Sequence, residues 1–351
     1  MIGALLASAA VVCCKETAAD KPGAAPANVA QVTAHGPASA PACVRYGAPV
    51  ARGALGGDRL RELSGLVASR RHRGKFWSHV DHGKSKARIF ALSESGAHVA
   101  TFRLKGVDPI DTEDIAMGPC AAAGARAALP CIYLGDVGDN PHERDHVVVF
   151  RVEEPATLPP PPAMGEQIDG RKIGKREVEH LRFRYPKAPG VDAQLRPQVE
   201  RPNVEAMVVL ADTRIVLLSK RKDGISDVFR VTPAAAGVAT AERIGSLDLR
   251  APLGNVEGAS PTTAADLGGS DRWLAVRTYA RLFVFDVGGA LALPAAQAAR
   301  ALTAAPRTEI PAGKDSQGES VCWDASGGLW HTSEIPKDAA NVPLWRIPCA
   351  P

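Results

Sequence analysis

Glu62, Glu113, Glu205, Glu257 and Glu319 each open a short apolar segment. The segment that follows each one ends in polar or charged groups: Asp81, Asp136, Lys220, Arg277 with Tyr279, and Glu334. Arranged around a common axis, such residues, together with Asp111 and Asp114, bring many carboxylates close to one another. At ~6 Å and an effective dielectric near 20, each ionised pair costs about 3 kcal/mol. Three remedies exist: a bound cation, protonation of some members, or pairing with Lys220, Arg277 and backbone amides. Oxygen-only donors favour Ca²⁺ or Mg²⁺ over zinc, and a flexible set of carboxylates favours Ca²⁺. A structural reading stands beside the metal: each glutamate clasps backbone N–H groups of the neighbouring unit.

The run Gly135-Asp136-Val137-Gly138-Asp139-Asn140 is the densest polar cluster. Its glycines permit tight turns, and Asp136, Asp139 and Asn140 can reach one cation or ligand; an Asx-type turn at a strand end fits the same lettering. The EF-hand spacing and its distal glutamate are missing. The candidate metal ligands are therefore Glu62, Glu113, Glu205, Glu257, Glu319, Asp136, Asp139 and Asn140, with Lys220 and Arg277 as candidate catalytic cations. His79, His82 and His331 read as packed or solvated strand residues. The chain has no G-x-S-x-G elbow, no G-x-x-x-x-G-K, no H-E-x-x-H and no C-x-x-C, so serine-nucleophile and zinc chemistry lack support.

The elements that must position these groups recur with a period of about fifty residues, the signature of propeller blades. Second strands are predicted over 76–81, 132–137, 216–221, 274–279 and 329–334. Third strands carry an aromatic between apolar residues, and Phe90, Phe150, Phe229, Phe285 and Trp345 are expected to wedge between sheets. Fourth strands are predicted over 99–104, 181–185, 242–247 and 307–310. The fifth unit runs out of chain, so an N-terminal strand over 44–50 is expected to close the ring and remove exposed edges. The fold class is thus all-β, a propeller of five four-stranded blades. Residues 153–204 have room for a sixth, but Pro159–Pro162 and the charged 170–179 run read as an insertion.

Residues 2–12 are apolar or small, too few for the ~20 that span a bilayer, and are followed by Cys13-Cys14-Lys15. This resembles a bacterial lipoprotein signal, with Cys13 or Cys14 as the lipidated residue and residues 15–42, rich in Ala and Pro, as a tether to a single domain over 43–351. Export to the periplasm, the outer membrane or the medium follows, and Cys120–Cys131 and Cys43–Cys349 are the expected disulfides, leaving Cys322 as a buried thiol. With 42 basic and 38 acidic residues and no long basic run, nothing favours nucleic acid. A monomer without a transmembrane span is expected.

Gly318-Glu319-Ser320-Val321-Cys322-Trp323-Asp324, with Gly327-Gly328-Leu329-Trp330 and Ser333-Glu334, resembles the blade motif of gluconolactonase-like propellers, where an inner-strand glutamate ligates a divalent cation. Glu62-Leu63-Ser64-Gly65-Leu66 with Trp77 and Asp81 is similar to the opening of phytase-like esterase propellers. Both families imply six blades, against five units counted here. Two function classes follow. One is a metal-dependent hydrolase of phosphoesters or lactones, in which Lys220 or Arg277 steadies negative charge. The other is a non-catalytic surface propeller whose top face holds a small molecule, peptide, glycan or protein.

Overall fold

The computed structural model describes Cys43 and residues 45–81, 87–159, 171–191, 197–199, 201–250, 261–268 and 270–350. Residues 1–42, with the expected signal, tether and lipidated cysteine, lie outside them, as do His82 and Glu257.

Five antiparallel blades form a β-propeller. Counted from the axis outward, blade 1 holds Leu63–Ala68, Lys75–Val80, Arg88–Ser93 and His98–Leu104. Blade 2 holds Asp114–Pro119, Pro130–Asp136, Val147–Glu153 and Val178–Arg184. Blade 3 holds Val204–Val209, Ile215–Ser219, Ile225–Val231 and Glu242–Asp248, and blade 4 holds Thr262–Gly268, Trp273–Thr278, Leu282–Asp286 and Arg307–Ile310. Blade 5 places Gly318–Trp323, Leu329–Ser333 and Asn341–Ile347 beside the N-terminal strand Val50–Gly56. Each inner strand packs against the next, and the fifth returns to the first, so the ring is closed.

Ring closure comes from the N-terminus as expected, but from Val50–Gly56 rather than 44–50. Pro49 has no N–H to donate, so pairing with Asn341–Ile347 begins only at Val50. The preceding Arg45–Tyr46 instead pairs with Cys349–Ala350, beside the Cys43–Cys349 disulfide that ties the two ends of the domain together. Residues 153–204 contribute no sixth blade among the described residues. They supply the outer strand of blade 2 and Arg171–Ile173, which lies parallel to the outer strand of blade 1. A short helix, Ala295–Thr303, covers the outer strand of blade 3 with Ala298 and Leu302 buried.

The aromatic wedges follow from the period-two pattern. Phe90, Phe150, Phe229 and Phe285 are buried, each in a cluster shared with the preceding blade. Trp345 departs from the pattern: it is half-buried, and its indole N–H donates to Asp315. The Cys120–Cys131 bridge closes the hairpin between the first two strands of blade 2, and Cys322 is a buried free thiol. Replacing Cys120 and Cys131 by alanine is expected to remove about 3 kcal/mol in the chain-entropy picture. That corresponds to roughly 6 °C in the thermal midpoint of a domain this size, readable by calorimetry against the wild type under non-reducing conditions.

Candidate functional site: an acidic mouth on the propeller axis

Inner strands start at the mouth where second strands end. In four blades the first turn of that pairing is irregular, with one residue extra on the inner strand: Gly65, Glu205, Thr263 and Glu319. Such bulges re-aim a side chain out of the ladder. Only two of the five repeating glutamates occupy this position. Glu62 precedes the inner strand of blade 1, and the position in blade 4 belongs to Thr263 rather than to the upstream Glu257. The sequence alignment of the five glutamates is therefore not their structural alignment.

The tightest group at this mouth is Asp81, at the end of the second strand of blade 1, with Asp111 and Glu113 of the crossover into blade 2. One carboxylate oxygen from each lies within 4.8 Å of the others. The backbone here is held from several sides: Ser64 Oγ donates to the Glu113 carbonyl at 2.7 Å, and the Glu113 N–H donates to the Gly135 carbonyl at 2.9 Å. A side chain at position 138 would collide with Asp111 and Glu113, so Gly138 is required for their approach.

Around this triad the charges form a chain. Glu113, 3% exposed, is a like-charge neighbour of Glu205, itself 4% exposed. Lys220 lies 3.1 Å from Glu205 and sits over the Tyr279 ring at 5.0 Å. Asn203 donates to Glu205 at 2.8 Å and to Asn140 at 3.0 Å. Glu319, 5% exposed, and Glu334 act electrostatically on the same group, and Glu62 acts on Glu334.

Burial, and then the like charges of Asp111, Glu205, Glu334 and Glu62, push the Asp81 carboxyl up to about 7. Burial and neighbouring carboxylates also raise Asp111, Glu113 and Glu334. Glu319 is raised well above its ordinary value by burial, with Lys220 opposing. Burial acts to lower Lys220, but Glu205 and Tyr279 outweigh it and the ammonium holds its proton more tightly than a free lysine.

Next to Glu113, a second carboxylate bridges the inner strands. The buried Asp114 carboxylate accepts from the N–H groups of Ile115 and Met207 at 2.8 Å and of Ala265 at 3.2 Å, spanning blades 2, 3 and 4. Asp266 repeats the device, accepting from Leu267 and Trp323 at 2.9 Å across blades 4 and 5. Backbone clasping thus exists, but aspartates perform it. Among the described residues no backbone amide donates to the carboxylate of Glu113, Glu205 or Glu319.

Three sequence candidates are engaged elsewhere. Asp136 accepts from the N–H groups of Ile110 and Asp111 and forms a two-pronged pair with Arg144. Asp139 accepts from the N–H groups of Glu143 and Arg144, and the Asn140 carbonyl oxygen takes Asn203. These residues shape the crossover that carries Asp111 and Glu113; their oxygens are occupied, so they do not join the triad. Arg277 is likewise displaced from its expected place at the mouth. It is 0% exposed and paired to the buried Asp315 at 2.6 Å. His79 and His331 are buried, and burial pushes His79 down to about 4. Sequence reasoning missed Asn203, Arg144, Asp266 and Asp315 as supports. Asn203, two residues before Glu205 and just ahead of the strand Val204–Val209, carried the clearest signal.

The fold and this mouth define a five-bladed β-propeller with an acidic axial site. No protein-family model matches the chain, and no curated protein matches it. Among solved structures, the PQQ-bound form of an aldose sugar dehydrogenase from Streptomyces coelicolor is similar at 14% identity and a TM-score of 0.41, covering 85% of this chain and 97% of that one.

Proposed function

We propose that this chain is an exported, calcium-dependent hydrolase acting on phosphoester or lactone substrates at the acidic mouth. The observation that carries the reading is the convergence of Asp81, Asp111 and Glu113. Ca²⁺ binds oxygens at ~2.3–2.6 Å, so two ligands of one ion lie at most about 5 Å apart, and the three oxygens meet that limit at 4.8 Å. Lys220 pairs with Glu205 and Arg144 with Asp136, and although Arg144 acts on Asp111 at longer range, no lysine or arginine forms an ion pair with the triad among the described residues.

When bound, such a cation polarises a carbonyl or phosphoryl oxygen and makes its water more acidic. Asp81, Asp111 and Glu113 would hold the cation as ionised carboxylates, because the positive charge favours their deprotonated form. Lys220, with Tyr279 beneath it, steadies negative charge on the oxygen of the bond that breaks. Export is supported by the two disulfides, which form in oxidising compartments. Among the described residues no helix is long and apolar enough to cross a membrane. Attachment through Cys13 or Cys14 belongs to the same reading.

Titration of Ca²⁺ into EDTA-stripped protein tests it. Glu113→Gln is expected to weaken binding at least tenfold, about 1.4 kcal/mol, while leaving the cation-free melting temperature unchanged or higher, because a like-charge neighbour is gone. Absence of Ca²⁺ binding at millimolar concentration would overturn the metal site. Binding without calcium-dependent turnover of phosphoester or lactone panels, in the wild type and in Lys220→Met alike, would leave a non-catalytic binding propeller.

A further inference from the structure

The residues 313–319 that lead into the inner strand of blade 5 are fastened at nearly every step. Gly313 N–H donates to His331 Nε2 at 3.2 Å, and the Gln317 carbonyl accepts from Glu334 N–H at 3.1 Å. Gly318 N–H donates to the Tyr279 carbonyl at 3.0 Å, and its own carbonyl accepts from Thr263 Oγ1 at 2.6 Å. At the centre stands Asp315. One oxygen takes Arg277 at 2.6 Å and His331 Nδ1 at 2.9 Å; the other takes the Trp345 indole N–H at 3.0 Å. His331 and Trp345 stack at an interplanar angle of 16°.

Arg277 is an expensive residue to hold here. It is completely buried, its Nε and Nη1 have no hydrogen-bond partner, and its guanidinium lies directly on the Cα of Gly318, leaving no room for a side chain there. A buried ion pair of this kind is a weak source of stability, since desolvation offsets most of its Coulombic gain. Its location suggests another use. The pair joins blade 4 to the segment that delivers Glu319, and the same segment fixes the backbone of Glu334 and Tyr279. Glu205, Glu319 and Glu334 repel one another, so without a stiff support they would spread apart whenever no cation is present.

We propose that Arg277 and Asp315 are positioning residues of the acidic mouth: the buried pair locks the 313–319 crossover so that Glu319, Glu334 and Tyr279 keep their places in the cation-free protein. Neither residue touches cation or substrate. The inference rests on the cation-site reading above, because site rigidity is one of the quantities that set calcium affinity.

The test separates positioning from stability. The double variant Arg277→Met/Asp315→Leu removes both charges together, which commonly leaves stability unchanged or improved. It is expected to melt in EDTA within a few degrees of the wild type, yet to bind Ca²⁺ at least tenfold more weakly in calorimetric titration. Arg277→Lys keeps the charge but loses the planar contact with Gly318, and is expected to rescue most of the loss, to within about threefold of wild-type affinity. Wild-type affinity in the folded double variant would overturn the proposal. If that variant fails to fold, Arg277→Gln decides: it removes the charge facing Asp315 and is expected to bind Ca²⁺ at least tenfold more weakly, and unchanged affinity there overturns the proposal. A wild type that binds no Ca²⁺ at all would instead refute the cation site itself, and is recognised before any variant is made.

Discussion

Calcium added to EDTA-stripped protein is expected to raise the thermal midpoint, and the gain is expected to grow between pH 6.5 and 8. A ligand that binds only the folded state at a thousand times its Kd stabilises by about 4 kcal/mol, roughly 8 °C for a domain this size. The pH dependence follows from the acidic groups. Asp81 and Asp266 are pushed up to about 7, and Asp111, Asp114, Glu113, Glu319 and Glu334 are raised, all chiefly by burial. A carboxyl group with a folded pKa above its unfolded one holds extra protons in the native state. Its stabilising contribution is complete below about pH 4 and is lost as pH rises through the folded value. Cation-free protein is therefore expected to melt at lower temperature at pH 8 than at pH 6.5. His79, lowered to about 4 by burial, and His331, also lowered, act in the opposite sense. Their contribution is complete above about pH 6.5 and is lost as pH falls below it, so the window above pH 6.5 isolates the carboxylates. Bound calcium favours the ionised triad and reverses the trend. Melting curves that do not respond to calcium or EDTA at either pH would remove the metal and leave only proton sharing and pairing.

Asp114→Ala is expected to be the most damaging single substitution on the axis. Its carboxylate accepts three amide hydrogens from three blades, and alanine would leave all three donors buried without an acceptor. At about 1–3 kcal/mol for each of the three unsatisfied donors, the loss is roughly 3–9 kcal/mol, a large share of the 5–15 kcal/mol that holds a typical domain folded. Asp114→Asn keeps one acceptor oxygen and is expected to lose about half as much. Denaturant melts give the total, and hydrogen exchange at the amides of Met207 and Ala265 gives the place. Wild-type protection of both amides in the alanine variant would show that the axis is held by packing rather than by this carboxylate.

The blades were legible because a half-buried strand writes its own pattern. The second strands, the aromatic third strands and most of the fourth were readable from alternation over five to seven residues, and Cys120–Cys131 from its place around a hairpin. Closure by the N-terminus was readable as a need of the ring, but not its register, which depends on where Pro49 stops the pairing. The sixth blade considered for 153–204 dissolves because two of its strands add to the outer edges of blades 1 and 2, while Lys187–Val191 and Pro197–Val199 pair only with each other.

The site was legible as a composition and not as a geometry. Local spacing put carboxylates at one mouth because strand direction alone decides which end an inner strand starts from. Which of them converge depended on bulges and on partners far along the chain. The extra residue in the inner strands re-aims Glu205 and Glu319, while blades 1 and 4 spend the same position on Gly65 and Thr263. Asp136 and Asp139 became supports because Arg144 and nearby amides reach them first, and Arg277 was drawn inward by Asp315. Sequence by itself determined the repeat, the strands and an acid-rich mouth, since these follow from short-range periodicity. Tertiary structure alone decided that Asp81, Asp111 and Glu113 share one point, that Asp114 ties three inner strands together beside them, and that Arg277 is buried against Asp315. Those facts depend on contacts between residues brought together only when the ring closes.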